Sequence, residues 1–386
     1  MKKLKYILVL NSGSTSLKFK IFNKKSLKEI HSGIIEKIGS QRSIIEFDKT
    51  IVNKHKSIKS HQQALKIVKN FLVKETNINI NLIAHRIVHG GVEFTKPIKL
   101  DSKTINKISK YNNLAPLHNP VNLKVAKYSL ELWSVKQIAI FDTMFFNTLT
   151  PVSYLYPLPL KYFKKYNVRK FGFHGFSHQG MLQGASKVLK KKTSKCNLIT
   201  CHLGGGSSIS AIKDGKAIET SMGFSPMSGL MMMTRSGNID PAIVFYLAKE
   251  VKLSLPEIYG LLNHNSGLKG ITQIDDLRDI MILAGYKITS PTGRQEGYKS
   301  NIKASKEKKD LAKLALNLFI YRIQRHISSY LTLMPKVDAI VFSGGIGERN
   351  ADIRNLIFKN IHFPKKYRKI IVKCNEEKIM AELATN

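Results

Sequence analysis

The sequence predicts an α/β protein of two domains, and three observations carry that expectation. The chain, at 386 residues, is too long for one hydrophobic core, strand-length apolar runs alternate with helical patterns, and a turn-bearing hairpin recurs half a chain later. Residues 5–10 read as a buried strand, Asn11-Ser-Gly-Ser-Thr as a polar turn, and Ser16 to Phe22 as a returning strand of alternating character. The unit returns at 197–220, where Asn197 to Cys201 is apolar, His202-Leu-Gly-Gly-Gly turns, Ser207 to Ile212 comes back and Asp214-Gly215 turns again. The turns NSGSTSLK and LGGGSSIS superpose without a gap, which favours two copies of one domain plan over a short-period repeat. Val135 to Phe141 reads as a buried strand that delivers Asp142, and Val337 to Phe342 as a strand running into Gly344-Gly-Ile-Gly, with a helix expected from about Asn350. Lys308 to Leu333 carries a long helical pattern and Asn375 to Leu383 a short amphipathic one. Three prolines between Pro151 and Pro159 interrupt any periodic element and mark the expected domain break.

Composition excludes several classes. With 43% hydrophobic and 23% charged residues the chain is of the ordinary globular kind, neither disordered nor collagen-like. The formal charge of +37 raises nucleic acid or an anionic membrane as partners. Its distribution speaks against both, because Lys2-Lys3, Lys24-Lys25, Lys164-Lys165, Lys190 to Lys192, Lys308-Lys309 and Lys365-Lys366 are scattered and no basic stretch is interleaved with aromatics. Neither partner is expected. The basic start resembles a signal peptide, but Tyr6 to Leu10 supplies five apolar residues where about 7–15 are needed, and no small-residue cleavage site follows. Cys196, Cys201 and Cys374 form an odd, sparse set without zinc-ligand spacing, which fits a reducing compartment; the expected location is cytoplasmic.

The chemistry is carried by glycines and cations. Backbone N–H groups can approach a phosphate closely where no Cβ intervenes, and three turns offer them: Asn11 to Lys18, His202 to Gly206, and Gly344 to Glu348. None matches a Walker or kinase glycine loop, and a strand-ending glycine is most often a plain turn. Three such turns, two of them in repeated hairpins, favour a phosphate-binding cleft. Arg86 with His85 and His89 beside two glycines, and Arg235 in a loop of small residues, supply cationic groups of the kind that hold phosphoryl oxygens. Each alone has an ordinary reading: a lone arginine as a surface residue, His174 as a satisfied core histidine, Asp142 as a local cap.

Ten ordered segments change the weighting. LNSGSTSLKF, HRIVHGG, APLHNP, FDTMFF, FGFHGFSH, HLGGG, TSMGFSPMSGLMMMTRSGNIDP, SGLKGITQIDDLRD, FSGGIGE and CNEE resemble the acetate kinase family over essentially the whole chain. The resemblance implies two ribonuclease-H-like domains of the actin-like ATPase kind with an interdomain active-site cleft. The first covers 1–148 and is completed by 370–386; the second, 149–369, serves nucleotide binding and dimerisation. It implies transfer of the ATP γ-phosphoryl group to acetate by direct in-line displacement, giving acetyl phosphate and ADP, in a homodimer. Asn11 and Glu376 are the implied ligands of Mg2+, or of Mn2+ in its place, and Lys18 the cation at the nucleotide phosphates. Arg86 is implied to bind the carboxylate, with Val88, Leu117, Phe173 and Pro226 around the methyl group. Asp142, His174 and Arg235 are the implied catalytic residues. The nucleotide is expected against His202, Leu203, Gly204, Gly205 and Gly206, against Asp276, Leu277 and Arg278, and against Gly344, Gly345, Ile346, Gly347 and Glu348. The chain departs from the family pattern at Phe146, Gly205, Glu219, Ser228, Asn238 and Arg349, and its linker from Glu348 to Glu376 is shorter than usual. Two alternatives stay open: a propionate or butyrate kinase, since one methylene discriminates by only ~1–3 kcal/mol, and a non-catalytic ATP-binding clamp of the actin or Hsp70 kind.

Overall fold

Strand β1 (Tyr6–Ser12) turns back into β2 (Leu17–Asn23) with Asn11 opposite Lys18, so the first expected hairpin is present in register. The computed structural model describes residues 5–76, 78–286, 302, 305–359 and 367–385; Lys2-Lys3 and Lys365-Lys366 lie outside them. The chain divides into two units, Met1–Asn147 with Asn375–Asn386, and Thr148–Cys374.

In the first unit β3 (Glu29–Glu36), β4 (Ser43–Phe47) and β5 (Thr50–Lys56) extend the hairpin as a meander, while β6 (Ile80–Ile87), β7 (Ile98–Lys99) and β8 (Lys136–Phe141) complete eight strands in the order β5-β4-β3-β2-β1-β6-β8-β7. Strands β1, β6 and β8 are parallel neighbours. Helices α1 (His61–Phe71), α2 (Ser102–Ser109) and α3 (Asn119–Leu132) connect them. Ser60 and Asp101 start α1 and α2 by accepting from the amides of Gln63 and Thr104, which satisfies donors a helix leaves open. Alternation decides the faces: Leu8 and Leu10 of β1 pack with Leu65 and Val68 of α1 and Val125 of α3, which leaves Ile7, Val9 and Asn11 on the other side of the strand.

The second unit begins with α4 (Pro151–Tyr154), α5 (Leu160–Tyr166) and α6 (Gly175–Leu189). Its sheet is β9 (Leu198–Leu203), β10 (Ser207–Lys213), β11 (Lys216–Thr220), β12 (Ala339–Ser343) and β13 (Arg368–Ile371), and α7 (Ala242–Lys249), α8 (Leu255–His264), α9 (Gly267–Thr272), α10 (Leu277–Leu283), α11 (Lys306–Thr332), α12 (Gly344–Arg349) and α13 (Ala351–Lys359) complete it. Helix α11 buries Ala312, Leu316, Phe319, Ile323 and Ile327, a helical spacing, against Ile199 and Ile209 of the sheet.

Both sheets follow one plan. The order β3-β2-β1-β6-β8 in the first and β11-β10-β9-β12-β13 in the second is an antiparallel three-strand meander followed by two parallel strands. The repeated hairpin is therefore the start of a duplicated α/β unit.

Two elements differ from expectation. The helix expected from about Asn350 is present as α13, but a short unexpected helix, α12, precedes it, because the left-handed φ of +81° at Gly344 turns the chain directly from strand into helix. Pro151 starts a helical turn at a position where a missing N–H costs nothing. After the second unit the chain returns to the first as α14 (Glu376–Thr385), which lies against β1, β2, β6 and β8 and buries Ile379 and Met380. Two such side chains contribute about 1.5–3 kcal/mol each. Among the described residues no helix is long and apolar enough to cross a membrane.

Candidate active site

Parallel strands bring their carboxyl ends to one side, where ligands of α/β sheets bind. In the first unit the ends of β1, β6 and β8 carry Asn11, Arg86 and Asp142. Arg86 Nη2 donates to Asp142 Oδ2 at 2.5 Å, its Nη1 donates to Asn11 Oδ1 at 3.1 Å, and Glu376 Oε2 stands 4.0 Å from the same Nη1. Asn11 Nδ2 donates to Glu377 Oε1 at 2.9 Å, and Glu377 Oε2 lies 3.9 Å from Lys20 Nζ. Lys18 is the direct cross-strand partner of Asn11. Thus the turn of the first hairpin, the HRIVHGG segment, the strand before Asp142 and the first turn of α14 meet in one cluster.

The cluster is densely charged. Burial works to lower the Arg86 pKa, but Asp142, Glu376 and Glu377 outweigh it and hold the guanidinium above its ordinary value. Burial and the neighbouring Glu377 push the Glu376 carboxyl up, against Arg86 and Lys18. Three carboxyls, Asp142, Glu376 and Glu377, thus face three cations, Arg86, Lys18 and Lys20. Among the described residues no three His, Cys, Asp or Glu side chains are grouped to hold a metal. Magnesium asks for less, since it keeps most of its water and takes one or two protein oxygens beside substrate phosphates. The oxygens of Asn11 and Glu376 fit that demand.

His85 and His89 do not join the cationic group, although the sequence places them beside Arg86. His85 points into the sheet, where its Nε2 lies 2.7 Å from Gln137 Oε1; burial pulls its pKa to about 4 and that of His89 to about 3, so both are neutral at pH 7. Of the implied methyl-pocket residues in this unit, Val88 is buried and Leu117 is 40% exposed.

The second unit builds its cluster on His174. This residue precedes α6 in the left-handed conformation, with φ +58°, at a cost of about 1–2 kcal/mol for a side chain with a Cβ. Such strain is concentrated at functional sites. Its Nδ1 lies 2.9 Å from Ser208 Oγ, and its ring stands 4.3 Å from that of His202. Gly206 comes close: a methyl group there would sit 3.2 Å from His174 Nε2 and 3.6 Å from Arg235 Nη1. Arg235 also donates through Nη1 to the carbonyl of Pro226 at 3.1 Å, and burial lowers its pKa without removing its charge. His174, His202, Gly206, Pro226 and Arg235 therefore converge. The glycine turn continues to α12, because a methyl on Gly204 would lie 3.9 Å from the Gly345 amide.

Other implied nucleotide residues have structural duties. Glu348 turns its Oε1 back to accept from Ser343 Oγ at 2.9 Å, from the Gly344 amide at 3.1 Å and from the Cys374 amide at 3.3 Å. Asp276 caps α10 through the Arg278 amide and pairs with the Arg278 guanidinium at 2.6 Å. Phe173 is buried, and Leu203, Leu277 and Ile346 belong to the α11 core or pack on it.

Sequence reasoning missed two groups. Glu377 holds Asn11, yet in CNEE nothing distinguishes one glutamate from the next. His178 lies 2.8 Å from both Thr200 Oγ1 and Ser208 Oγ, and so continues the chain that ends on His174. The run of hydroxyls in LGGGSSIS was the available signal.

Comparison with known proteins identifies the family. Residues 6–367 match the Acetokinase family. The acetate kinase of Helicobacter acinonychis (strain Sheeba) is 41% identical over 366 residues, 92% of this chain and 86% of that one. That of Bacillus subtilis (strain 168) is 39% identical, over 94% of this chain and 88% of its own. Among solved structures, a propionate kinase from Francisella tularensis subsp. tularensis SCHU S4 superposes with a TM-score of 0.89 at 34% identity, covering 99% of this chain and all of that one. Porphyromonas gingivalis acetate kinase gives 0.85 at 30%, covering 98% of each. A full-length match of this kind, on a chain whose motifs form two charged clusters at strand ends, shows that this protein belongs to the acetokinase family.

Proposed function

We propose that this chain transfers the γ-phosphoryl group of ATP to acetate, forming acetyl phosphate and ADP in a reversible in-line displacement. Family membership makes it a phosphotransferase with ATP and ADP as co-substrates. The observation that carries the division of labour is the convergence of His174, Arg235 and Gly206 in one unit and of Arg86, Asn11, Asp142 and Glu376 in the other. A carboxylate is an adequate nucleophile at neutral pH, so the protein has to align it and offset charge repulsion. On this reading Arg86 binds the acetate carboxylate, with Val88, Leu117, Phe173 and Pro226 around the methyl group. Asp142 fixes the guanidinium, and His174 and Arg235 neutralise the equatorial phosphoryl oxygens. Asn11 and Glu376 hold Mg2+, which when bound offsets the charge of the nucleotide phosphates. The nucleotide lies on the 202–206, 276–278 and 344–348 segments. We assign 1–148 with 370–386 to acid and metal binding and 149–369 to the nucleotide.

Trapping the product with hydroxylamine tests this directly. Acid-dependent hydroxamate that requires a divalent cation is expected, and a chain that binds ATP yet consumes none on addition of two-, three- or four-carbon acids would overturn the reading. The same series ranks acetate against propionate and butyrate.

We further propose a cytoplasmic homodimer, without a nucleic-acid or membrane partner. Helix α7 has no buried residue although AIVFYLAK is almost wholly apolar, and Phe245 and Tyr246 are 72% and 64% exposed. Such a face demands a cover. Light scattering should report about twice 43.6 kDa, and a monomer at micromolar concentration would sink the dimer.

A further inference from the structure

Beyond Leu117, the segment APLHNPVN has no role assigned above, yet it places two asparagines on the first turn of α3 that the structure buries completely: Asn119 is 0% and Asn122 1% exposed. Fully buried amides are costly unless bonded. Both are bonded to loops of the first-unit cluster. Asn119 Oδ1 accepts from the His89 amide at 2.9 Å and its Nδ2 donates to the His89 carbonyl at 2.9 Å, so it grips one residue of the HRIVHGG turn from both sides. Asn122 reaches further. Its Oδ1 accepts from the Val88 amide at 3.2 Å, and its Nδ2 donates to the Ser12 carbonyl at 2.8 Å and to Ser12 Oγ at 3.0 Å.

We propose that Asn122 is a positioning residue that fixes the carboxylate-binding segment, Arg86 to Val88, relative to the metal-and-phosphate turn that starts at Asn11. One side chain joins the residue two beyond Arg86 to the residue one beyond Asn11, while neither amide atom is left to meet substrate. The ladder between β1 and β6 ends at Leu10 and His85, so past that point no backbone pairing holds the two segments together. The Arg86 to Asn11 bond, on the substrate side, must give way when acid and metal bind. The bridge through Asn122 lies on the far side and stays. Asn119, three residues earlier, holds only the acid segment and serves as the internal comparison. This inference rests on the proposed division of labour in the first unit.

The test uses the full chain and the hydroxamate assay. Asn122→Asp keeps an oxygen for the Val88 amide but sets an acceptor against the Ser12 carbonyl and so releases the Asn11 turn alone. Asn119→Asp loosens only His89. The expected result for Asn122→Asp is a fall in kcat of about 10–100-fold, the scale of a misplacement near 1 Å, with a higher Mg2+ requirement and a nearly unchanged KM for acetate. For Asn119→Asp the KM for acetate rises and the Mg2+ requirement stays. Asn122→Ala, which frees both segments, should raise both. If folded Asn122→Asp keeps wild-type kcat and Mg2+ dependence, or if the two asparagine variants behave alike and differ from wild type only in melting temperature, the inference fails. A wild-type chain that makes no hydroxamate would instead remove the functional reading beneath it.

Discussion

Replacing Arg235 by alanine is expected to lower kcat by about 10²–10³-fold while leaving the KM for acetate within a small factor and the fold intact. The guanidinium sits at the glycine turn, donating to the Pro226 carbonyl and lying 3.9 Å from Met232 Sδ, so its loss breaks no ion pair among the described residues. Its Nη1 borders the same Gly206 position as His174 Nε2. A group that acts only on charge spread over the transferring phosphoryl affects the transition state more than the ground state, which is why kcat should carry the loss. Arg235→Lys should recover part of it, since a point charge replaces the planar fork. Arg86→Ala should fall by a similar factor but through a different parameter: the KM for acetate rises as well, because this side chain is assigned to the carboxylate itself. Near-normal hydroxamate formation in both variants would end the proposal.

Gly206→Val should be nearly as damaging without touching any charge. A single methyl at this position already comes 3.2 Å from His174 Nε2, and valine adds two more carbons in the direction of Arg235. The backbone there is not left-handed, so the side chain is disfavoured by its neighbours and not by φ. At least a 100-fold loss of kcat is expected, in keeping with the cost of displacing aligned groups by about 1 Å. Gly260→Ala in α8, where nothing lies within 4 Å of the added carbon, should keep full activity and serves as the control. A valine variant with normal turnover would show that no reacting group enters this space.

The hairpins were legible because their signals are local. Alternation in Ser16 to Phe22 and glycine in the following turn of the second copy are properties of ten residues at a time, and both copies fold as read. The strand that delivers Asp142 and the long helix α11 were legible for the same reason. The meander β3 to β5 was not read, because its half-buried strands mix polar and apolar residues without a clean period. Within the clusters the recognisable residues are those that the family resemblance names. Those that hold them from behind, Glu377, Asn122 and Ser208, are common polar types whose meaning depends on what lies 34 to 366 residues away in the chain, as the Asn11 to Glu377 bond illustrates. Burial reverses some readings too: His85 looks like a third cation beside Arg86 and is in fact a neutral partner of Gln137.

The placement of α14 bears on how the protein is made. A ribosome releases β1 to β8 early, then the whole of the second unit, and only after it the residues that pair with Asn11 and Arg86. Domains commonly close as they emerge, yet here the first to appear is the last to be finished. Until α14 has emerged, the nascent chain holds Arg86 and Asp142 without either glutamate. The first-unit cluster is thereby completed only after the second unit has been made.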